Sequence, residues 1–218
     1  EVAFSRIFRS RAMLLAMTQY FAANFTTFLC LSWMYPYLKD RYSLDDSKAA
    51  LYTMFILLFG ATAQWVTGVL VDRIFVSKWR RWSRGLPAML GFLVSACGVA
   101  LLPAAGDVQS AVAFFAVAAF GAEMTISPSW AFCIDIGGRK SGAVTGSMNM
   151  AGNLGSFVSA NAFPFLNTLT GGASAYFFMV ALLNITGALC WTRMVALRPS
   201  QNEQPSHHND RGPATPVK

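Results

Sequence analysis

Six runs of apolar residues, at 12–37, 50–71, 86–104, 110–134, 142–167 and 174–196, divide the chain, with short polar or basic segments between them. A helix rises 1.5 Å per residue, so crossing about 30 Å of hydrocarbon takes roughly 20 residues. Each run is about that long or longer, and far longer than the roughly 10 residues of a barrel strand. Lipid offers no partner to an unpaired backbone group, so runs of this length predict helices. Run 86–104, LPAMLGFLVSACGVALLPA, carries no charge and no polar stripe of the kind a soluble helix turns to water. The expected fold class is an all-α membrane protein. A six-span membrane domain covers 1–198, and the polar, proline-containing segment 199–218 is expected to be a disordered tail.

Composition sharpens this picture. Of 218 residues, 55% are hydrophobic and only 12% charged, against about 25% charged in an ordinary soluble domain. The net charge of +7 does not call for nucleic acid, because the basic residues sit in loops between spans and leave no separate basic surface. Six spans create two sets of loops. One set carries Arg6, Arg9, Arg11, Arg73, Lys78, Arg80, Arg81, Arg84, Arg139, Lys140, Arg193, Arg198, Arg211 and Lys218. The other carries only Lys39, Arg41 and Lys48, offset by Asp40, Asp45, Asp46 and Asp107. Cytoplasmic loops are enriched in Lys and Arg, so both termini are expected in the cytoplasm. Trp33, Tyr35, Tyr37 and Tyr42 at the outer end of span 1, and Trp79 and Trp82 beside the inner arginines, suit the two interfaces.

The four cysteines, Cys30, Cys97, Cys133 and Cys190, all fall inside apolar runs without metal-ligand spacing, and read as buried packing residues. His207 and His208 lie in the polar tail and read as solvated. The chain begins at Glu1, as expected of a fragment or a processed segment.

Polar residues inside the spans carry the functional signal, since charge in hydrocarbon is costly and usually serves a purpose. Glu123 lies about 13 residues into its run, roughly 20 Å deep at the helical rise. A carboxyl there is a candidate proton carrier; the plainer alternative is a structural acid bonded to a neighbour. Pro128 should kink the same helix and free carbonyls near mid-membrane. Glu123, Ser127 and Trp130 follow the spacing i, i+4, i+7 and are expected on one face, with Ser129 beside them. In span 5, Gly142 and Gly146 allow close approach of another helix, and Thr145, Asn149, Asn153 and Ser156 form a polar stripe for a solute or a neighbouring helix. Tyr20, Asn24 and Thr27 share a face of span 1, and Gln64 precedes Gly68 and Asp72 by one and two turns. Asp135, ahead of Gly137-Gly138-Arg139-Lys140, is expected to pair with those cations or with the basic loop 72–85, as a gate or a structural ion pair.

Taken together, these residues resemble the C-terminal six-helix half of a major facilitator superfamily transporter. Gly68-x-x-x-Asp72-Arg73 with its basic loop resembles the superfamily's motif between helices 8 and 9. Trp33-x-x-Pro36-Tyr37-Leu38, Ser129-Trp130-x-x-x-x-Asp135 and Gly146-x-x-Asn149-x-x-Gly152-Asn153-x-Gly155 resemble helices 7, 10 and 11 of its anion:cation symporter branch, which includes hexuronate, galactonate and glucarate transporters and vesicular organic-anion carriers. The resemblance implies alternating access by two six-helix halves rocking about a central site. It implies a sugar-acid or other organic-anion substrate, a bacterial inner membrane, and H+ as the transported ion, with no cofactor. By the same resemblance Asn24, Ser129, Trp130, Asn149 and Asn153 would contact substrate, and Tyr20 and Ser127 join them as candidates because they share the faces of Asn24 and Trp130. Glu123 would couple protons, and Gly68, Asp72, Arg73 and Asp135 would form the cytoplasmic gate. In that branch the N-terminal half supplies the arginine that holds the substrate carboxylate. No span interior here contains Arg or Lys, so this chain alone is expected to be inactive, with the missing half and the lipid bilayer as its partners. Two other classes compete with this reading. A six-span channel or scaffold should show a filter-like sequence, and an enzyme should show a convergent acid/base, nucleophile or metal set; neither is visible.

Overall fold

The computed structural model describes residues 8–196; the tail 199–218, with His207 and His208, lies outside the described residues, as does Arg6. Ser10 caps α1 (Arg11–Phe28), accepting a hydrogen bond from the Met13 amide. A π-helical turn at Leu29–Trp33 joins α1 to α2 (Met34–Arg41), making one helical unit of 31 residues. Asp45 caps α3 (Asp46–Phe75). The basic loop leads to α4 (Gly85–Leu101), and Asp107 opens α5 (Val108–Met124) with a capping box to Ser110. A break at Thr125 leads into α6 (Ile126–Gly137). α7 (Ser141–Thr170) and α8 (Ser174–Ala196) complete the bundle.

Polar caps at Ser10, Asp45 and Asp107 start α1, α3 and α5 ahead of their apolar runs and satisfy the first free amides outside the apolar core. Five helical stretches are long and apolar enough to cross a membrane; runs 110–134 and 142–167 fall together in one stretch of 63 residues, Val108–Thr170. That stretch reverses direction. Gly138 takes φ 49°, a positive angle natural to glycine. Gly137 then packs on Val144, while Cys133 Sγ lies 3.2 Å from Met148 Sδ. These pairings make α6 and α7 antiparallel.

Helix α1 is the hub. It packs on α7 in parallel and on α8 in antiparallel sense, while α4 lies between α5 and α8. α3 leans on α5 and leaves Leu51, Met54, Phe55, Leu58 and Trp65 exposed, as lipid contact requires of a helix in hydrocarbon. Two apolar clusters fill the bundle. Phe25, Leu29, Phe115, Tyr176 and Phe177 occupy the end bearing the 42–45 loop, and Met13, Phe92, Phe132, Trp191 and Met194 the end bearing the basic loop. Tyr37, expected at the membrane interface, instead packs edge-on against Phe177 at 5.1 Å and Phe115 at 5.8 Å. Cys97 is also a correction: Cys30, Cys133 and Cys190 are buried, but Cys97 is exposed on the outer face of α4.

Apolar contact drives little association between helices already in lipid, so close backbone packing has to supply it. Of the small residues the sequence marks along span 5, Gly152 and Gly155 allow this, and Gly142 and Gly146 do not. A Cβ added to Gly142 or Gly146 would meet nothing within 4 Å, whereas one on Gly155 would collide with the Phe21 carbonyl oxygen and one on Gly121 with the Ser95 amide. The spacing Gly-x-x-x-Gly signals a small face; it does not say which turn meets a neighbour.

Ion pairs fasten the loops. Lys39 and the Tyr35 hydroxyl both bond Asp46 across the turn between α2 and α3. Beside them Asp45 accepts from the Lys48 amide at 2.9 Å and pairs with its ammonium at 3.3 Å. The Lys48 amide first, then its ammonium, holds the Asp45 carboxyl below its usual 3.8. This support is present above that value and is lost as the pH falls below it. At the opposite end Arg81 donates to the Val195 and Ala196 carbonyls that close α8.

Gly155→Leu should destabilise the protein by ~1–3 kcal/mol through overpacking, and Gly146→Leu should leave the bundle's stability nearly unchanged. Thermal unfolding of both variants in detergent checks this, and equal midpoints would contradict the packing described.

Candidate functional site

The face shared by α1, α6 and α7 gathers most of the polar residues expected to meet a solute. Trp130 Nε1 donates to the Tyr20 hydroxyl at 2.9 Å. Asn24 Nδ2 donates to the Tyr20 carbonyl at 3.0 Å, fixing its amide against its own helix. Across from them, a Cβ on Gly152 would lie 2.6 Å from both Asn24 Nδ2 and Tyr20 Cδ1, so the bare backbone of Gly152 makes the room these side chains occupy. On the same helix Asn149 is half-buried and Asn153 exposed, and neither has a hydrogen-bond partner among the described residues. Ser127 is exposed on α6 and likewise has no partner among them.

Ser129 points the other way. It is fully buried, with its hydroxyl 2.6 Å from the Thr125 carbonyl and 3.1 Å from Gln19 Oε1. Gln19, which sequence reasoning does not single out, is the centre of this buried network. Its Oε1 also accepts from Trp191 Nε1 at 3.3 Å, and its Nε2 donates to the Ala16 carbonyl at 3.0 Å. A lone glutamine in a long apolar run is the only signal the sequence offers. Gln19–Ser129 and Tyr20–Trp130 are adjacent bonds between the same two helices, so the network holds α6 against α1 directly behind the open face.

Glu123 stands apart from this group. Thr125 breaks the helix, its amide bonding Ala122 in a tightened turn, because Pro128 cannot donate to the carbonyl of Met124 four residues back. Glu123 therefore belongs to α5 and Trp130 to α6, and the expected shared face of Glu123, Ser127 and Trp130 is interrupted. Glu123 Oε2 accepts from Gln64 Nε2 of α3 at 2.7 Å. Thr27 and Cys30 of the first helical unit and Gly60 of α3 line the small crevice beside it.

At the basic end, Asp135 meets Arg84, which precedes α4 and also donates to the Ala131 carbonyl at 2.6 Å. The last arginine of the 72–85 loop is thus a partner, as one of the two alternatives the sequence leaves open expects. Gly68, Asp72 and Arg73 lie on the outward side of α3. A Cβ added to Gly68 would meet nothing within 4 Å, and Asp72 and Arg73 are exposed with no side-chain partner among the described residues.

Residues 1–160 match the sequence model of the Major Facilitator Superfamily. The chain belongs to that superfamily. It is accordingly a multi-pass membrane protein of a transporter family and not an enzyme. Two curated relatives carry the same reading. The probable sulfoacetate transporter of Cupriavidus necator is 29% identical over 170 residues, which cover 78% of this chain and 40% of the relative. The probable L-galactonate transporter of Escherichia coli is 27% identical over 162 residues, covering 73% of this chain and 35% of the relative. The chain thus spans well under half the length of these relatives, both of them named as transporters of organic anions.

Gln19→Leu should orphan the Trp191 N–H and remove one acceptor from Ser129, at a cost of ~1–3 kcal/mol. Ser127→Ala, at an exposed position, should stay within about 0.5 kcal/mol. Thermal melts of the two variants in detergent distinguish them, and a neutral Gln19→Leu would remove the glutamine from its central place.

Proposed function

We propose that this chain is the C-terminal, six-pass half of a secondary carrier for small organic anions such as sugar acids or sulfonates, working by proton-coupled alternating access in a bacterial inner membrane with both its termini cytoplasmic. The observation that carries the reading is the polar face of α1, α6 and α7. Tyr20 and Trp130 are bonded to each other there, while Asn149 and Asn153 project beside them without partners among the described residues. Unpaired amides at membrane depth are expensive unless a solute or water uses them. The substrates named for the two relatives support organic anions as that solute. The reversal at Gly138 within the 63-residue stretch supports counting it as two crossings, and so six passes in all.

In this reading Tyr20, Asn24, Ser127, Trp130, Asn149 and Asn153 offer hydrogen bonds to carboxylate and hydroxyl groups, and Ser129 acts from behind by fixing α6. Glu123 and Gln64 make the proton site. A primary amide can donate to a carboxylate and, turned over, accept from a carboxylic acid, so Gln64 can serve either protonation state of Glu123 without moving its helix. Gly68, Asp72, Arg73 and the Arg84–Asp135 pair form the cytoplasmic gate. The anion's full countercharge comes from the N-terminal half, since the basic residues of this chain's spans lie in their end turns and none in a span interior.

Asn149→Ala in the full-length protein should raise the KM for galactonate or sulfoacetate about tenfold, the loss of one good hydrogen bond to a charged group. Uptake into proteoliposomes measures this, and an unchanged KM for each anion tried would reject Asn149 as a substrate contact. Glu123→Gln should abolish uptake driven by a proton gradient while sparing substrate exchange. Retained proton-driven accumulation would assign coupling elsewhere. Liposomes holding only residues 1–218 should accumulate neither anion.

A further inference from the structure

A second cavity lies at the end of the bundle opposite the basic loop. It is a cleft of about 710 Å³, walled by the end of α1–α2, the end of α7 and the start of α8. Pockets of a few hundred to about 1,000 Å³ are the usual size for small-molecule sites. Its lining combines three kinds of group. Trp33, Tyr37 and Phe163 give flat apolar faces, Arg41 and Asp40 give one charge of each sign, and Asn167 and Ser174 give neutral polar atoms.

These groups are held in place. Trp33 stacks on Phe163 with ring centroids 4.7 Å apart and planes at 21°. Tyr37 is wedged edge-on between Phe115 and Phe177, and Arg41 follows it by one helical turn along the same wall of the cleft. Trp33 Nε1 is buried and has no partner among the described residues. A buried donor left unpaired calls for an explanation, and a polar occupant of this cleft reached through a small movement of the indole supplies one. Of the two cavities described, this is the one lined by a cation.

We infer that this cleft is a binding site for a hydroxylated organic carboxylate, an outer capture site separate from the α1–α6–α7 face. Arg41 bonds the carboxylate through its planar fork, the aromatic faces cover the carbon chain, and Asp40 and Asn167 accept from hydroxyls. Asp40 beside Arg41 leaves the cleft with little net charge, so a bare inorganic anion gains little there, while a ligand with both an anionic group and hydroxyl donors uses both residues. The inference rests on the organic-anion reading above only for the choice of ligand class, and it concerns different residues.

The test is equilibrium binding of labelled galactonate to the full-length protein in nanodiscs, with sodium sulfate as competitor. Two galactonates should bind per molecule, and excess sulfate should fail to displace the one at the cleft. Arg41→Gln should weaken one of the two about tenfold, equivalent to ~1.4 kcal/mol, and Arg41→Lys should fall between. Asn149→Ala should weaken the other and leave the Arg41-dependent site intact. If Asn149→Ala changes nothing while Arg41→Gln removes a site, the central reading fails and the cleft stands. A single galactonate insensitive to Arg41→Gln, or no galactonate at all, overturns the capture site. So does an Arg41-dependent phospholipid, seen by native mass spectrometry, that galactonate cannot displace.

Discussion

The approach of α7 to α1 at Gly152 and Gly155 governs the rest of the bundle. Two missing side chains let the helices run in parallel with the Gly155 backbone against the Phe21 carbonyl. That closeness fixes where Tyr20 and Asn24 lie, since both pass over the bare backbone of Gly152. Tyr20 then meets Trp130, and its neighbour Gln19, turned into the interior, ties α6 and α8 to the same helix. In water the burial of apolar area would dominate such an arrangement. In lipid, where that contribution is small, the contact between backbones and the bonds that follow from it carry the association.

Polar groups divide by depth and by purpose. The Gln19 network is closed: each strong donor and acceptor in it has a protein partner, and it is buried. The stripe containing Asn149 and Asn153 is open. Glu123 lies between these cases, bonded to one residue of a helix that itself leans mainly on α5. A closed network resists rearrangement because breaking it strands buried groups, whereas a single bond between α3 and α5 can be exchanged at small cost. Stiffness thus sits behind the open face, and freedom sits at the carboxyl.

The helices were legible because membrane thickness imposes a length that few other constraints mimic. Partners were not. Gln64 and Glu123 are 59 residues apart in sequence, and nothing in either segment announces the other. Gln19 stands one residue off the Tyr20, Asn24, Thr27 face that the spacing picks out, so the periodicity passes it by. Pro128 did foretell a break, but the chain yields three residues earlier, at Thr125, because the bond a proline cannot make belongs to the turn before it. Asp135 shows the middle case: its chemistry demanded a cation, and only geometry shows that Arg84 supplies one.

The π-helical turn at Leu29–Trp33 has a consequence for how this chain tolerates change. A π turn holds more residues than an α turn, so everything after it is offset by about 100°, one residue's worth of helical rotation. Upstream, the helix shows α7 and α8 its hub residues; downstream, the same unit points Tyr37 and Arg41 at the cleft. Losing one residue here would hardly shorten the unit. It would turn its far end like a key, carrying the cleft's aromatic wall and its arginine out of line with α7 and α8.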